Sequence, residues 1–238
     1  MLLCAFDLET TGLDKQNDQA IEVGLILYST NMHRALEIQQ FLVKTDREIT
    51  GEVEDVTGLN RKAVDAFGYE RGDALDTIQD FFSRADAVVT HNGNRYDLPL
   101  TRNWAGAHGE KLVERLSIDS MTDIPNMAGE QLITMCARAG FLLSDAHSAV
   151  ADAQGALRLA THYKHTIEQV VERAKSPIQI VVGKHARSEN HLVKRAKFRW
   201  NPNEKVWWKP VKEMDLADLK FNFPWDKSDY TMEDLDTD

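Results

Sequence analysis

"LLCAFDLETTGL", residues 2–13, combines two features that conflict. Leu2, Leu3, Cys4, Ala5, Phe6 and Leu8 make a strand apolar enough for the middle of a sheet. Asp7 and Glu9 interrupt it two residues apart. Strand side chains alternate with period two, so both carboxylates face the same side, ~7 Å apart along the chain. Two like charges in an apolar strand are costly unless something offsets them.

The segments that follow extend a sheet. Residues 20–29, "AIEVGLILYS", are rich in branched side chains, and residues 34–43 alternate, so both read as strands. Short turns at Gly12 with Asp14 and at Thr30 with Asn31 predict an antiparallel meander. "GDALDTIQDFFSRA", residues 72–85, has helical apolar spacing and leads into a strand at "DAVVTHN", an α/β unit. A helix is predicted from Asp97, with Pro99 in its first turn. Another covers residues 129–140 and stops at Gly140. One long helix is predicted from Ser148 to Ala174, its apolar stripe running through Val150, Ala153, Leu157, Leu159, Ala160, Tyr163, Ile167 and Val170. Ser176-Pro177 ends it.

The chain has 238 residues, enough for one ordinary domain and a small second one. It holds no apolar run of 18 residues and no secretory signal, so no membrane association is expected. Two cysteines are too few for a disulfide framework, which favours a cytoplasmic location. The charge is uneven. Residues 1–174 hold 16 Lys and Arg against 27 Asp and Glu; residues 175–212 hold ten against two; residues 213–238 hold two against nine. Four of the five tryptophans lie after residue 199. We therefore expect a domain over 1–175, a small basic α+β domain over 176–225 and an acidic disordered tail over 226–238.

Partners for Asp7 and Glu9 are found in two further segments. "HNGNRYD", residues 91–97, follows a strand and puts Asp97 at a helix start. "DAHSAVADA", residues 145–153, puts His147 before the long helix and Asp152 in its second turn. Four carboxylates with no cysteine form a hard oxygen site suited to Mg²⁺ or Mn²⁺. A pair of such ions ~3.5–4 Å apart serves phosphodiester hydrolysis, and would offset the Asp7–Glu9 repulsion. His147 is the side chain type suited to take a proton from water near neutral pH. Asp145 could be confused with Asp152, but reads better as a cap. His91 and Asn92 read as structural.

"FDLETTG", "HNGNRYD" and "HSAVAD" together resemble the three motifs of the DnaQ-like 3'–5' exonucleases, in the DEDDh branch, over roughly residues 1–170. "VTGLNRKAV", residues 56–64, resembles the segment between the first two motifs, with Thr57 where histidine is common. The resemblance implies an RNase H-like α/β fold with a mixed five-stranded sheet flanked by helices. It implies two Mg²⁺ or Mn²⁺ ions held by Asp7, Glu9, Asp97 and Asp152, with His147 as general base. The products would be nucleoside 5'-monophosphates released from 3' ends. By the same resemblance, the backbone of Thr10, Thr11 and Gly12 approaches the terminal nucleotide, with Gly12 leaving room for it, and Leu13 packs on its base.

In "KRAKFRWNPNEKVWWKP", residues 194–210, basic and aromatic side chains interleave. Cations neutralise phosphates and aromatic faces stack on unpaired bases. Lys194, Arg195, Lys197, Arg199, Trp200, Trp207 and Trp208 are the expected nucleic-acid contacts, although a domain this small also needs aromatics for its core. Single-stranded DNA 3' ends are the favoured substrate over RNA. The alternatives are an exoribonuclease that trims 3' ends, a proofreading subunit with a polymerase or replication partner, and, last, a nucleic-acid-binding protein without activity.

Overall fold

The computed structural model describes residues 1–125, 130–162, 164–184 and 187–235. The chain divides into two compact units, Met1–Ala174 and Lys175–Asp238.

In the first unit β1 (Leu2–Thr10), β2 (Ala20–Ser29) and β3 (Arg34–Leu42) form the antiparallel meander. Three helices follow: α1 (Gly51–Thr57), α2 (Arg61–Phe67) and α3 (Arg71–Arg84). The first two escape the periodicity argument because they are short. Their caps were the available signal: Thr50 and Asn60 each accept a backbone N–H at a helix start, and Gly58 closes α1 in the left-handed region. Next come β4 (Ala87–Thr90), α4 (Asp97–Ala107), β5 (Leu116–Asp119), α5 (Ser120–Asp123) and α6 (Leu132–Ala139). The sheet order is β3-β2-β1-β4-β5, with β4 parallel to β1 and β5 parallel to β4. This is the mixed five-stranded sheet flanked by helices. The fifth strand, "LSID", is too short and too polar to be read from its sequence.

The predicted long helix is two: α7 (Ala149–His162) and α8 (Ile167–Lys175). Thr166 and Gln169 exchange side-chain and backbone hydrogen bonds at 3.4 and 3.0 Å, a capping box that starts a new helix. The His165 ring reaches the Leu159 carbonyl oxygen at 3.0 Å and helps to close α7. Tyr163 of the expected stripe lies outside the described residues.

Period two in β1 sorts the core. Cys4, Phe6 and Leu8 pack on one face with α3, where Phe6 meets Phe82 edge to face at 5.1 Å. Leu3 and Ala5 pack on the other with Ala153, Ala156 and Ala160 of α7. Burying each large apolar side chain contributes ~1.5–3 kcal/mol. Asp7 and Glu9 continue the face that α7 covers, so the helix carrying Asp152 is laid over the strand carrying the other two acids.

The second unit has the strands β6 (Ile178–Gly183), β7 (Arg199–Asn201), β8 (Val206–Lys212) and β9 (Trp225–Ser228), with the helices α9 (Asn190–Arg195) and α10 (Met232–Leu235). Its antiparallel sheet runs β7-β8-β6-β9. Asn201 makes the β7–β8 turn by accepting from the N–H groups of Asn203 and Glu204 at 2.9 and 2.8 Å. Val181, Val193, Phe198 and Phe223 pack on one sheet face; Ile180, Trp208 and Leu235 pack on the other. The expectation of a disordered tail over 226–238 is corrected for residues 226–235, since residues 236–238 lie outside the described ones. Strand β9 pairs with β6, and Leu235 is buried against Trp208. The acidic composition concealed an apolar side, Tyr230, Met232 and Leu235, that covers the tryptophan.

Candidate active site

Strand β1 extends past the end of β4. Its ladder with β4 covers only Leu3–Ala5, so the Leu8 N–H has no strand partner on that side. Asp97 fills the gap: its Oδ1 accepts from Leu8 N at 3.2 Å, which ties the start of α4 to the middle of the acidic stretch. Asp97 is buried, and burial pushes its carboxyl up to about 7, against the pull of the N–H groups that it accepts from. The loop before it is held by Asp119, which accepts from Asn92 N at 2.7 Å and Asn94 N at 3.3 Å. His91 contacts Ser120 Oγ at 2.8 Å, in keeping with a structural role.

Gly24 decides how close α7 can come. It pairs with Asp7 across the β1–β2 ladder. A Cβ there would lie 2.3–2.4 Å from backbone atoms of Ala149 and Val150. With no side chain in the way, the first turn of α7 rests on the sheet beside Asp7. Glu22, opposite Glu9, fastens it: its carboxylate accepts from Ala149 N at 2.8 Å and from Gln40 Nε2 at 2.7 Å. The sequence reading missed Glu22, although a charge within "AIEVGLILYS" is the same kind of signal as Asp7 in β1.

Asp7, Glu9, Asp97 and Asp152 are thereby brought to one place. Burial, then the charges of Asp97, Asp152, Glu9 and Glu22, holds the Asp7 carboxyl well above the usual range. Burial, followed by Asp152, Glu22 and Asp97, pushes Glu9 up to about 8. Burial also raises Asp152, partly offset by the charge and backbone N–H of His147. Ligand atoms of Glu9, His147 and Asp152 all lie within 4.8 Å of one another. The loop before α7 puts His147 there with φ at +68° and Asp145 at +52°, both left-handed. Asp145 supplies a carbonyl to Ser148 N at 3.0 Å, as a loop residue does. His147 and Asp152 also line a pocket of about 350 Å³ whose apolar side includes Leu132, Ile133 and Leu143.

The donor set fits a hard divalent cation. It is mainly carboxylate oxygen with no thiolate, its like charges raise one another's affinity for positive charge, and Asp152 Oδ1 is buried with no hydrogen-bond partner among the described residues.

Of the four residues expected to meet a nucleotide, only Leu13 projects freely, at 85 % exposed. The Thr10 hydroxyl donates to Gly12 O at 2.7 Å, and Tyr96 donates to the same oxygen. Thr11 is buried and donates to Asp18 Oδ1 at 2.8 Å. At Gly12 a Cβ would also meet Asp18 Oδ2 at 2.5 Å. That carboxylate is held in place by Asp14 N and Thr11. The glycine therefore also serves the loop's own packing.

In the second unit, Lys194, Arg195, Lys197, Arg199 and Trp200 are exposed and Trp207 is half-buried. Trp208 is 1 % exposed, so its reading as a nucleic-acid contact is corrected to a core residue. It falls on the opposite strand face from Trp207, the face that α10 covers.

Residues 4–160 match the family model of the RNase_T exonucleases. The DNA polymerase III PolC-type of Mycoplasma pneumoniae is 26 % identical over 170 residues, covering 68 % of this chain and 11 % of that protein. Its counterpart in Thermotoga maritima is 28 % identical over 100 residues, 41 % of this chain and 7 % of that one. Escherichia coli exonuclease I, solved in complex with a dA16 oligonucleotide, shares the fold with a TM-score of 0.61 at 15 % identity. The match covers 77 % of this chain and 48 % of that one. The same fold appears in the exonuclease I/SSB-Ct complex, with a TM-score of 0.62 at 13 % identity over 87 % of this chain and 51 % of that one. The chain thus spans about a tenth of these two polymerases' length, or less, and about half of exonuclease I. None of the described helices is long and apolar enough to cross a membrane.

Proposed function

Because the chain belongs to the RNase_T exonuclease family, we propose that it is a metal-dependent 3'–5' exonuclease. Its favoured substrate is single-stranded DNA, from which it releases nucleoside 5'-monophosphates. The observation that carries this reading is the convergence of Asp7, Glu9, Asp97 and Asp152 beside His147, with an unpartnered Asp152 oxygen. Those four carboxylates would hold a pair of Mg²⁺ or Mn²⁺ ions. When bound, such ions neutralise the phosphodiester and lower the pKa of water.

The chain's own groups do the rest. Asp7, shared among the largest number of acidic neighbours, anchors the cluster. His147 is exposed, so its ring can take a proton from water and pass it to solvent. Water attacks phosphorus, the 3' oxygen of the preceding nucleotide leaves, and the 5'-monophosphate departs. Tyr96 keeps the Thr10–Gly12 turn rigid, and exposed Leu13 offers an apolar surface to the terminal base. The oligonucleotide-bound form of exonuclease I supports DNA as the substrate.

Digestion of matched single-stranded DNA, duplex DNA and RNA with Mg²⁺, Mn²⁺ or EDTA tests this. The expected outcome is stepwise loss of a 3' label from single-stranded DNA that stops in EDTA and in Asp7→Ala. Undiminished release in EDTA, or none with either metal, overturns it. A second reading, proofreading beside a polymerase, is favoured by the PolC-type relatives. It predicts faster removal of mismatched than of matched primer ends.

A further inference from the structure

A pocket of about 930 Å³ in the second unit is lined by Gly183, Asn190, Lys194, Trp200, Lys205 and Trp207, with Val206 between the last two. It lies by β7, the short strand at the sheet edge. Trp200 and Trp207 are a cross-strand pair, ring centroids 5.5 Å apart and tilted by 50°. Trp200 is 46 % exposed. Trp207, Trp208 and Trp225 pack in the unit's two apolar clusters and Trp200 is in neither, so this exposed indole is not needed for the core. Asn190 and Lys194 stand one turn apart on α9, and Lys194 Nζ lies 5.8 Å from the centre of the Trp207 ring. Lys205 stands at the hairpin with φ at +56°.

The charge distribution favours one occupant. Two acids of the C-terminal segment are paired with lysines that are not part of the pocket lining: Asp226 with Lys184, and Glu213 with Lys227 at 3.8 Å. Glu204, next to Lys205, accepts from the Tyr230 hydroxyl at 2.9 Å. The lining thus brings two cations, Lys194 and Lys205, to the same pocket as Trp200 and Trp207, with Lys194 over the Trp207 ring.

We propose that this pocket holds an internal stretch of single-stranded nucleic acid. An unpaired base stacks on Trp200 and Trp207, while Lys194 and Lys205 meet the flanking phosphates. It is a retention site separate from the hydrolytic one. It rests on the nuclease reading only in taking the same class of substrate.

Two measurements keep the two ideas distinguishable. Fluorescence titration of the full chain with dT16 in EDTA reads retention without hydrolysis. Release of p-nitrophenol from the p-nitrophenyl ester of thymidine 5'-monophosphate reads hydrolysis without a long strand. Trp200→Ala should weaken dT16 binding about tenfold, the loss of one stacked base. Trp200→Phe should restore most of it. Lys205→Gln should lower the slope of log affinity against log salt by about 0.7. All three should leave ester hydrolysis unchanged. Equal dT16 affinity in Trp200→Ala and the parent chain overturns the site, as does a chain that binds no oligonucleotide. Loss of ester hydrolysis in the parent chain strikes the nuclease reading alone.

Discussion

Asp7 is costly to keep charged where it is. Burial and four acidic neighbours raise its carboxyl together with those of Glu9 and Asp97. Asp7→Asn removes one of these like charges, so it should abolish hydrolysis while making the metal-free chain more stable. A gain of ~1 kcal/mol would raise the melting midpoint by ~2–4 °C in a chain of this size. A lower midpoint would contradict the clustering. The sign with pH follows from the same shifts. These carboxyls titrate higher in the folded chain than in the unfolded one, so the folded chain binds more protons between the two values and stability falls as pH rises. The window opens near the unfolded value of about 4 and closes near the Glu9 value of about 8. Melting in EDTA should therefore give midpoints that fall from pH 5 to 8, less steeply in Asp7→Asn and less steeply with Mg²⁺ or Mn²⁺. The left-handed backbone at His147 belongs to this scale too: it costs ~1–3 kcal/mol and turns the ring toward Asp152.

At the scale of the element, the site depends on how α7 is seated. Gly24→Ala would drive a methyl group into the backbone of Ala149, which no rotamer change can relieve. Helix α7 would have to move away from β1, taking Asp152 with it. We expect ~1–3 kcal/mol of destabilisation and a loss of activity approaching 100-fold, the sensitivity of a reaction to a displacement of ~1 Å. Chemical denaturation and steady-state rates check the two parts; full activity would show that the contact is dispensable. In the second unit, α10 is held by one side chain above all. Leu235→Ala should cost ~2–4 kcal/mol and alter the near-ultraviolet signal of Trp208, which it covers. An unchanged spectrum and stability would return that segment to a passive tail.

Across the whole molecule, chemistry and retention are assigned to different units. A chain ending at Ala174 keeps both faces of the five-stranded sheet covered by its own residues. It should hydrolyse the thymidine ester at the parent rate. On long single strands its KM should rise more than its kcat falls if the part removed supplies the proposed retention site and no reacting groups. Equal kinetics on long strands would deny the second unit any part in holding substrate.

The sequence by itself determined what is local. Strand alternation put Asp7 and Glu9 on one face, helix starts marked Asp97 and Asp152, and the charge change near residue 175 marked where a second unit begins. It could also place the five candidate residues in three motifs, because each motif keeps its chemistry within a few positions. Tertiary structure alone decided what depends on contacts between distant residues. The approach of α7 over Gly24, the Glu22 fastening and the Asp97 hydrogen bond to Leu8 join positions 89 to 127 residues apart. The division of the tryptophans, Trp208 into the core and Trp200 to the surface, follows from which sheet face α10 covers, and neighbouring residues of a strand face opposite ways. Composition counts such residues together; packing separates them.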